Sequence, residues 1–245
     1  MNQALFNNSP RGERYLDRGT AGGVYNNATG LFNNAALLNI GGTVSVGQVG
    51  IQNIGTFTNT LSGEIYIDRT TFLGLYNNGG GSKFTNAALL VIGNSASVGN
   101  YGVGNEGTFT NILSGEIRID RSTQFAFSSV GPVSNSGLIK IGSMASVGTR
   151  GLQNVNSAFT NTQTGEIHID RSTELGIINS KAQFTNDGKI FLGVNQSVGG
   201  RGINNQDAGN NFLNSSTGEI TIDKTTEYAF INSYHTNENA GKLTI

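Results

Sequence analysis

Apolar and polar residues alternate along this chain in short bursts rather than in long stripes. In Glu64-Ile65-Tyr66-Ile67-Asp68 the two isoleucines fall on one side and Glu, Tyr and Asp on the other, the period-two pattern of a half-buried strand. Phe57-Thr58-Asn59 alternates likewise, with Phe and Asn inward and Thr outward. Such runs last three to five residues and are separated by Gly, Asn and Ser, whose tolerance of positive φ suits them to corners. There is no sustained i, i+3, i+4 apolar stripe with caps, so a helix content near zero is expected.

The bursts recur. Gly63-Glu64-Ile65-Tyr66-Ile67-Asp68-Arg69-Thr70-Thr71 returns almost unchanged from Gly115, Gly165 and Gly218, and a degenerate copy starts at Gly12. Glu64, Glu116, Glu166 and Glu219 are 52, 50 and 53 residues apart. An aromatic-x-Asn pair divides this period, at Phe32/Asn34, Phe57/Asn59, Phe84/Asn86, Phe109/Asn111, Phe159/Asn161, Phe184/Asn186 and Phe212/Asn214. Val133/Asn135 fills one place in the series and Asn237/Asn239 continues it, with successive spacings of 24 to 28 residues. Each unit of about 52 residues is therefore two coils of about 25. A plain coil carries Ser-Val-Gly (45–47, 97–99, 146–148, 197–199), and an acidic coil carries Gly-Glu-Ile-x-Ile-Asp.

Short strands in strict register, each unable to bury its own apolar face, predict an all-β fold: a single parallel β-solenoid. It is expected to run through residues 1–245 as nine to ten coils, roughly 45 Å long at ~4.8 Å per coil. Right-handed coiling is the default for parallel crossovers. Inward asparagines at one coil position are affordable only if their amides pair from coil to coil, so Asn34, Asn59, Asn86, Asn111, Asn135, Asn161, Asn186, Asn214 and Asn239 are expected to form a ladder. Phe6-Asn7-Asn8 enters mid-unit and Gly241-Lys242-Leu243-Thr244-Ile245 matches the strand at Gly188, which suggests a segment of a longer array or a module that stacks end to end.

Composition narrows the function. The 245 residues include 36 Gly and 32 Asn, with 15 Lys+Arg against 16 Asp+Glu, too balanced for a basic face that would hold nucleic acid or an anionic membrane. Without cysteine there is neither a disulfide framework nor a thiolate metal site. The longest apolar run, Ala87 to Ile92, is far too short to insert in a membrane. No secretion signal is legible at Met1, which places export information elsewhere or makes the chain a piece of a longer one.

Units such as Phe184-Thr185-Asn186-Asp187-Gly188-Lys189-Ile190-Phe191-Leu192 resemble the right-handed β-helix repeats of large bacterial surface proteins, the filamentous-haemagglutinin-like adhesins and related secreted repeat proteins. The resemblance covers nearly the whole chain. It implies an extracellular or cell-surface location but carries over no catalytic residue. Pectate-lyase-like enzymes and phage tailspikes share the architecture, so the motif specifies fold more than function.

The most chemical-looking feature is an acidic ladder: Glu64, Asp68, Glu116, Asp120, Glu166, Asp170, Glu219 and Asp223, followed by Arg69, Arg121, Arg171 and Lys224. Glycosidases need paired carboxylates, and equivalent acids two coils apart would lie ~9–10 Å from each other, close to the inverting range. The pattern recurs in every unit whereas an active site is singular, so a solvated surface face, offset by the arginines and by Lys140, Lys189 and Lys242, is the expectation. Periodic calcium is the weaker alternative, without a Gly-Gly-x-Gly-x-Asp or EF-hand signature. His168 takes an outward slot and His235 a different coil position, so no metal or cofactor site is expected. Gly79-Gly80-Gly81 and Gly199-Gly200-Arg201-Gly202 lack the context of a phosphate loop and are expected to be corners.

Outward Thr58/Thr60, Thr110 and Thr160/Thr162 raise an ice-binding reading, interrupted at Ile112 and Leu213, while Tyr25, Tyr66, Tyr76 and Tyr101 could stack on sugars. Residues 72–83, 124–132, 174–183 and 227–236 vary between units and are expected to be loops, where binding surfaces concentrate. The sequence thus favours a non-enzymatic structural or adhesive segment, a rigid rod presenting a face to glycan, protein or another copy. A carbohydrate-active β-helix lyase or hydrolase is the runner-up, with Asp207 the one acidic departure from the repeat, and a self-assembling fibre subunit is third.

Overall fold

A computed structural model describes residues 5–9, 12–207, 209, 211–233 and 237–245. Each coil contributes three strands, exemplified by Thr56–Asn59, Glu64–Ile67 and Leu73–Asn77. Successive coils place them in three sheets of ten, ten and nine strands, called A, B and C here, with every pairing parallel to the coil before and after. All the regular structure among the described residues is β. The chain is a parallel β-solenoid.

The register is residue for residue. In sheet A, Phe32, Phe57, Phe84 and Phe109 are successive partners, and their rings stack inside the coil at 4.4 to 5.1 Å between centroids. In sheet B the paired isoleucines, such as Ile65 and Ile67, point inward and are fully buried. Val46, Val98, Val147 and Val198 of the Ser-Val-Gly signature fill the corner between sheets B and C, also without exposure. No single coil encloses these side chains. Only stacking buries them, at about 1.5–3 kcal/mol for each large side chain.

Sheet C holds what period-two alternation does not announce. The segments 72–83, 124–132, 174–183 and 227–236, expected as loops, contain the strands Leu73–Asn77, Phe125–Ser129, Leu175–Ser180 and Tyr228–Asn232. The reason is a local break in the pleat. In Tyr101–Asn105 both Gly102 and Val103 face the core, so the alternation slips by one and Tyr101 and Gly104 both face outward. Gly102 has no positive φ. It is glycine because a Cβ there would stand 2.4 Å from Ile119 Cγ2, where sheet C closes on sheet B. Corner duty accounts for fewer of the glycines than the sequence suggested.

Sheet C also fills the gaps in the phenylalanine row of sheet A. Where that row carries Val133, the preceding sheet C strand carries Phe127, at a position held by Leu75, Val103, Leu152 and Ile177 in neighbouring coils. Phe127 is fully buried and meets Phe109 and Phe159 edge to face. The same exchange occurs at Asn237, where Phe230 packs edge-on against Phe212. The core keeps its volume by moving an aromatic ring from one sheet to another.

Candidate functional site

The polar groups divide into those that join coil to coil and those that face out. Inside the A–B corner the asparagines form one continuous chain. Asn8, Asn34, Asn59, Asn86, Asn111, Asn135, Asn161, Asn186 and Asn214 each donate from Nδ2 to Oδ1 of the next asparagine, ending on Asn239, at 2.7 to 2.9 Å. The same amides also reach the corner carbonyls, as Asn59 does to Leu89 O at 3.1 Å. The glycine that opens each acidic block makes room for this, since a Cβ on Gly115 would stand 2.1 Å from Asn111 Oδ1.

A second ladder, unread in the sequence, runs along the C–A corner through Asn26, Asn53, Asn77 and Asn105, and again from Asn154 through Asn179 and Asn205 to Asn232. Its signal was present, because within each run these asparagines recur at spacings of 24 to 28 residues, each just before a sheet A strand. Ser129 interrupts it. Its hydroxyl accepts from Asn105 and donates to Gly131 O, which leaves Oδ1 of Asn154 buried and unpaired.

The eight acids expected to share one solvated face do not share it. Glu64, Glu116, Glu166 and Glu219 point outward from sheet B, but Asp68, Asp120 and Asp170 are buried at 5%, 2% and 4% exposure. The strand ends at Ile67, so alternation ceases to govern the side chain of residue 68. Asp68 turns along the rod axis and accepts from the backbone N–H groups of Ser95 and Ala96, both at 3.0 Å, and from the Ser95 hydroxyl at 2.8 Å. Asp120 takes Met144 and Ala145 in the same way, and Asp170 takes Asn195 and Gln196. Asp17, in the degenerate copy, accepts from the Thr43 hydroxyl, which holds its carboxyl below the usual aspartate range.

The next three residues continue the pattern in alternate directions. Arg69 reaches back, donating from Nη1 to Gly41 O at 3.0 Å and to Gly42 O. Thr70 reaches forward to Val98 O at 2.8 Å, and Thr71 back to Gly47 O at 3.2 Å. Arg121 and Arg171 repeat the backward contact to Gly93 and Gly142. Each acidic coil thus fastens the plain coil before it and the plain coil after it, which is why the sequence repeats every two coils. Asp223, in the fourth acidic coil, is placed differently. It is half exposed and pairs with Lys224 at 3.1 Å.

On the outer face of sheet B, the glutamates never stand next to one another. The register reads Glu64, Leu89, Glu116, Leu138, Glu166, Lys189, Glu219, Lys242. Glu116 lies 2.8 Å from Arg118 and 3.4 Å from Lys140, and the hydrogen bond from Arg118 holds its carboxyl below the ordinary glutamate value. Glu166 contacts His168, which stacks on Phe191. His235 lies outside the described residues. Among the described residues no group of three or more His, Asp or Glu side chains is placed to hold a metal ion.

Sheet A presents hydroxyls. Thr58, Thr85, Thr110, Ser134, Thr160 and Thr185 are successive partners, and Leu213 ends the row. Thr60, Ile112 and Thr162 lie past the strand ends at the corner, so Ile112 does not break the row and Thr60 and Thr162 do not belong to it. Asp207 is likewise a corner residue, at φ 78°, accepting from the Ser180 hydroxyl at 2.5 Å.

Sheet C presents rings and planar polar groups. Phe72 meets Tyr101 edge-on, Tyr101 stacks on Phe125 at 5.0 Å, and the guanidinium of Arg150 lies 5.0 Å over the Phe125 ring. Comparison with protein-family models, curated proteins and solved structures finds no match to this chain.

Proposed function

We propose that this chain is a non-enzymatic structural and adhesive repeat segment of a secreted or cell-surface bacterial protein, a rigid rod that carries a binding face. The observation that supports this most is the fate of the repeated acids. The repeated aspartates and arginines are committed to hydrogen bonds between coils, and the outward glutamates are separated from one another by Leu or Lys, with Glu116 further paired to Arg118 and Lys140. A carboxylate in either setting is poorly placed to share a substrate with a second one. The resemblance to bacterial surface repeats supports the location, and a cross-linked solenoid suits extension against load.

The test is a polysaccharide-cleavage screen on the purified chain, followed by reducing-end release. The reading expects no release above a denatured control from any glycan class. Release that is abolished by Glu116→Gln or Glu166→Gln would overturn it in favour of a carbohydrate-active enzyme.

A further inference from the structure

We propose that the outer face of sheet C is a binding groove for a linear, uncharged polysaccharide lying along the rod. This deepens the adhesive reading above and rests on it. Two depressions lie on this one face. The first, of about 260 Å³, has Gly104 and Ser128 in its lining, at positions where the outward column elsewhere carries Tyr76, Gln153 and Ile178. The second, of about 500 Å³, lies further along the axis and is lined by Arg150, Arg201 and their mainly polar neighbours, with Leu175 and Ile178. From the strand Leu73–Asn77 to the strand Tyr228–Asn232 there are six strand spacings, roughly 29 Å.

The walls are held in place before any ligand arrives. Tyr101 is fixed between Phe72 and Phe125. Tyr76 donates its hydroxyl to Glu106 Oε1 at 2.5 Å, and Glu106 is itself held by the Gly79 N–H. Rings pinned in this way offer flat apolar faces at little entropic cost. In the second depression Arg150, Arg201, Asn204 and Gln206 present planar hydrogen-bonding groups, and Nε of Arg150 is buried with no partner among the described residues.

Charge selects among ligands. The second depression has two arginines and two glutamates, with Arg201 and Glu227 3.5 Å apart and Arg150 bound to Gln153 and seated over Phe125. Local charges that cancel give a polyanion no net attraction. A peptide strand would seek a free sheet edge, whereas this is a sheet face, with its backbone groups already paired. A sugar polymer fits both halves, because each ring has an apolar C–H face and a rim of hydroxyls.

The experiment is calorimetric titration of the whole chain with neutral hexasaccharides of β-1,4- and α-1,4-linked glucose, with polygalacturonate as the charged counterpart. Variants are Tyr101→Ala and Arg201→Ala on this face, and Thr110→Ala and Lys140→Ala on the other two. Binding of a neutral glycan, weakened about tenfold by Tyr101→Ala and by Arg201→Ala but unchanged by the other two, supports the groove. Arg201 is half exposed, so its variant stays informative even if Tyr101→Ala unfolds the coil. Preference for polygalacturonate, equal effects from all three faces, or no neutral glycan bound at millimolar concentration would overturn it. Reducing ends released during the titration would instead mark failure of the non-enzymatic reading.

Discussion

Phe127 meets Phe109 edge to face, with ring centroids 5.2 Å apart and planes at 80°. The contact joins sheet C to sheet A immediately before the coil whose sheet A strand has Val133 in place of phenylalanine. Positions 127 and 133 should therefore be coupled. Phe127→Ala is expected to cost about 3–5 kcal/mol, and Val133→Phe, which adds a ring to a filled core, about 1–3. The double variant Phe127→Leu/Val133→Phe restores the pattern of the neighbouring coils and is expected within about 1.5 kcal/mol of the parent. A double-mutant cycle by urea unfolding, closed with Phe127→Leu alone, reads the coupling, and simple additivity would contradict it.

The gap at Ser129 predicts a stabilising change. Ser129→Asn would give Asn154 Oδ1 its missing donor and still reach Gly131 O, as Asn53 reaches both Asn77 and Gly55 O. One restored buried hydrogen bond is worth about 1 kcal/mol. A rise in melting temperature is expected, and a fall would mean that the corner cannot hold the larger side chain.

Arg121 sits at φ 55°, in the left-handed region that costs a non-glycine residue about 1–2 kcal/mol. Its backward hydrogen bond to Gly93 O offsets that cost. Arg121→Ala loses the bond and keeps the strain, whereas Arg121→Gly loses both. The glycine variant is expected to be the more stable of the two by about 1 kcal/mol, an order opposite to the usual effect of glycine.

Tyr76 supplies a pH-dependent signal. Burial, with the hydrogen bond to Glu106, pushes its hydroxyl up to about 12. The raised value means that the folded chain holds this proton more tightly than the unfolded chain. The associated stability is complete below the ordinary tyrosine value near 10 and is lost as pH rises from there through about 12. Ultraviolet titration should show a late tyrosinate component that Tyr76→Phe removes. A titration that is unchanged in Tyr76→Phe would count against this anchoring of the groove wall.

Sheets A and B were legible because Phe57-Thr58-Asn59 and Ile65-Tyr66-Ile67 keep strict alternation, and the asparagine ladder of the A–B corner because a buried amide demands a partner. Sheet C was not, because Gly102 and Val103 face inward together. The role of Asp68 was hidden for a different reason. Its partners, Ser95 and Ala96, are 27 and 28 residues away, and nothing in the alternation says what the next coil presents to a residue beyond the strand end.

The central claim is that the repeated acids are fasteners between coils rather than a site. Its most direct test is the unfolding free energy of Asp120→Ala beside that of Glu116→Ala, four residues away in the same coil. Asp120→Ala strands two backbone N–H groups and is expected to cost about 2–4 kcal/mol, whereas Glu116→Ala removes a partly exposed ion pair and should cost at most about 1. Equal costs, or an Asp120 variant as stable as the parent, would contradict the claim and return the aspartates to the pool of groups free for chemistry.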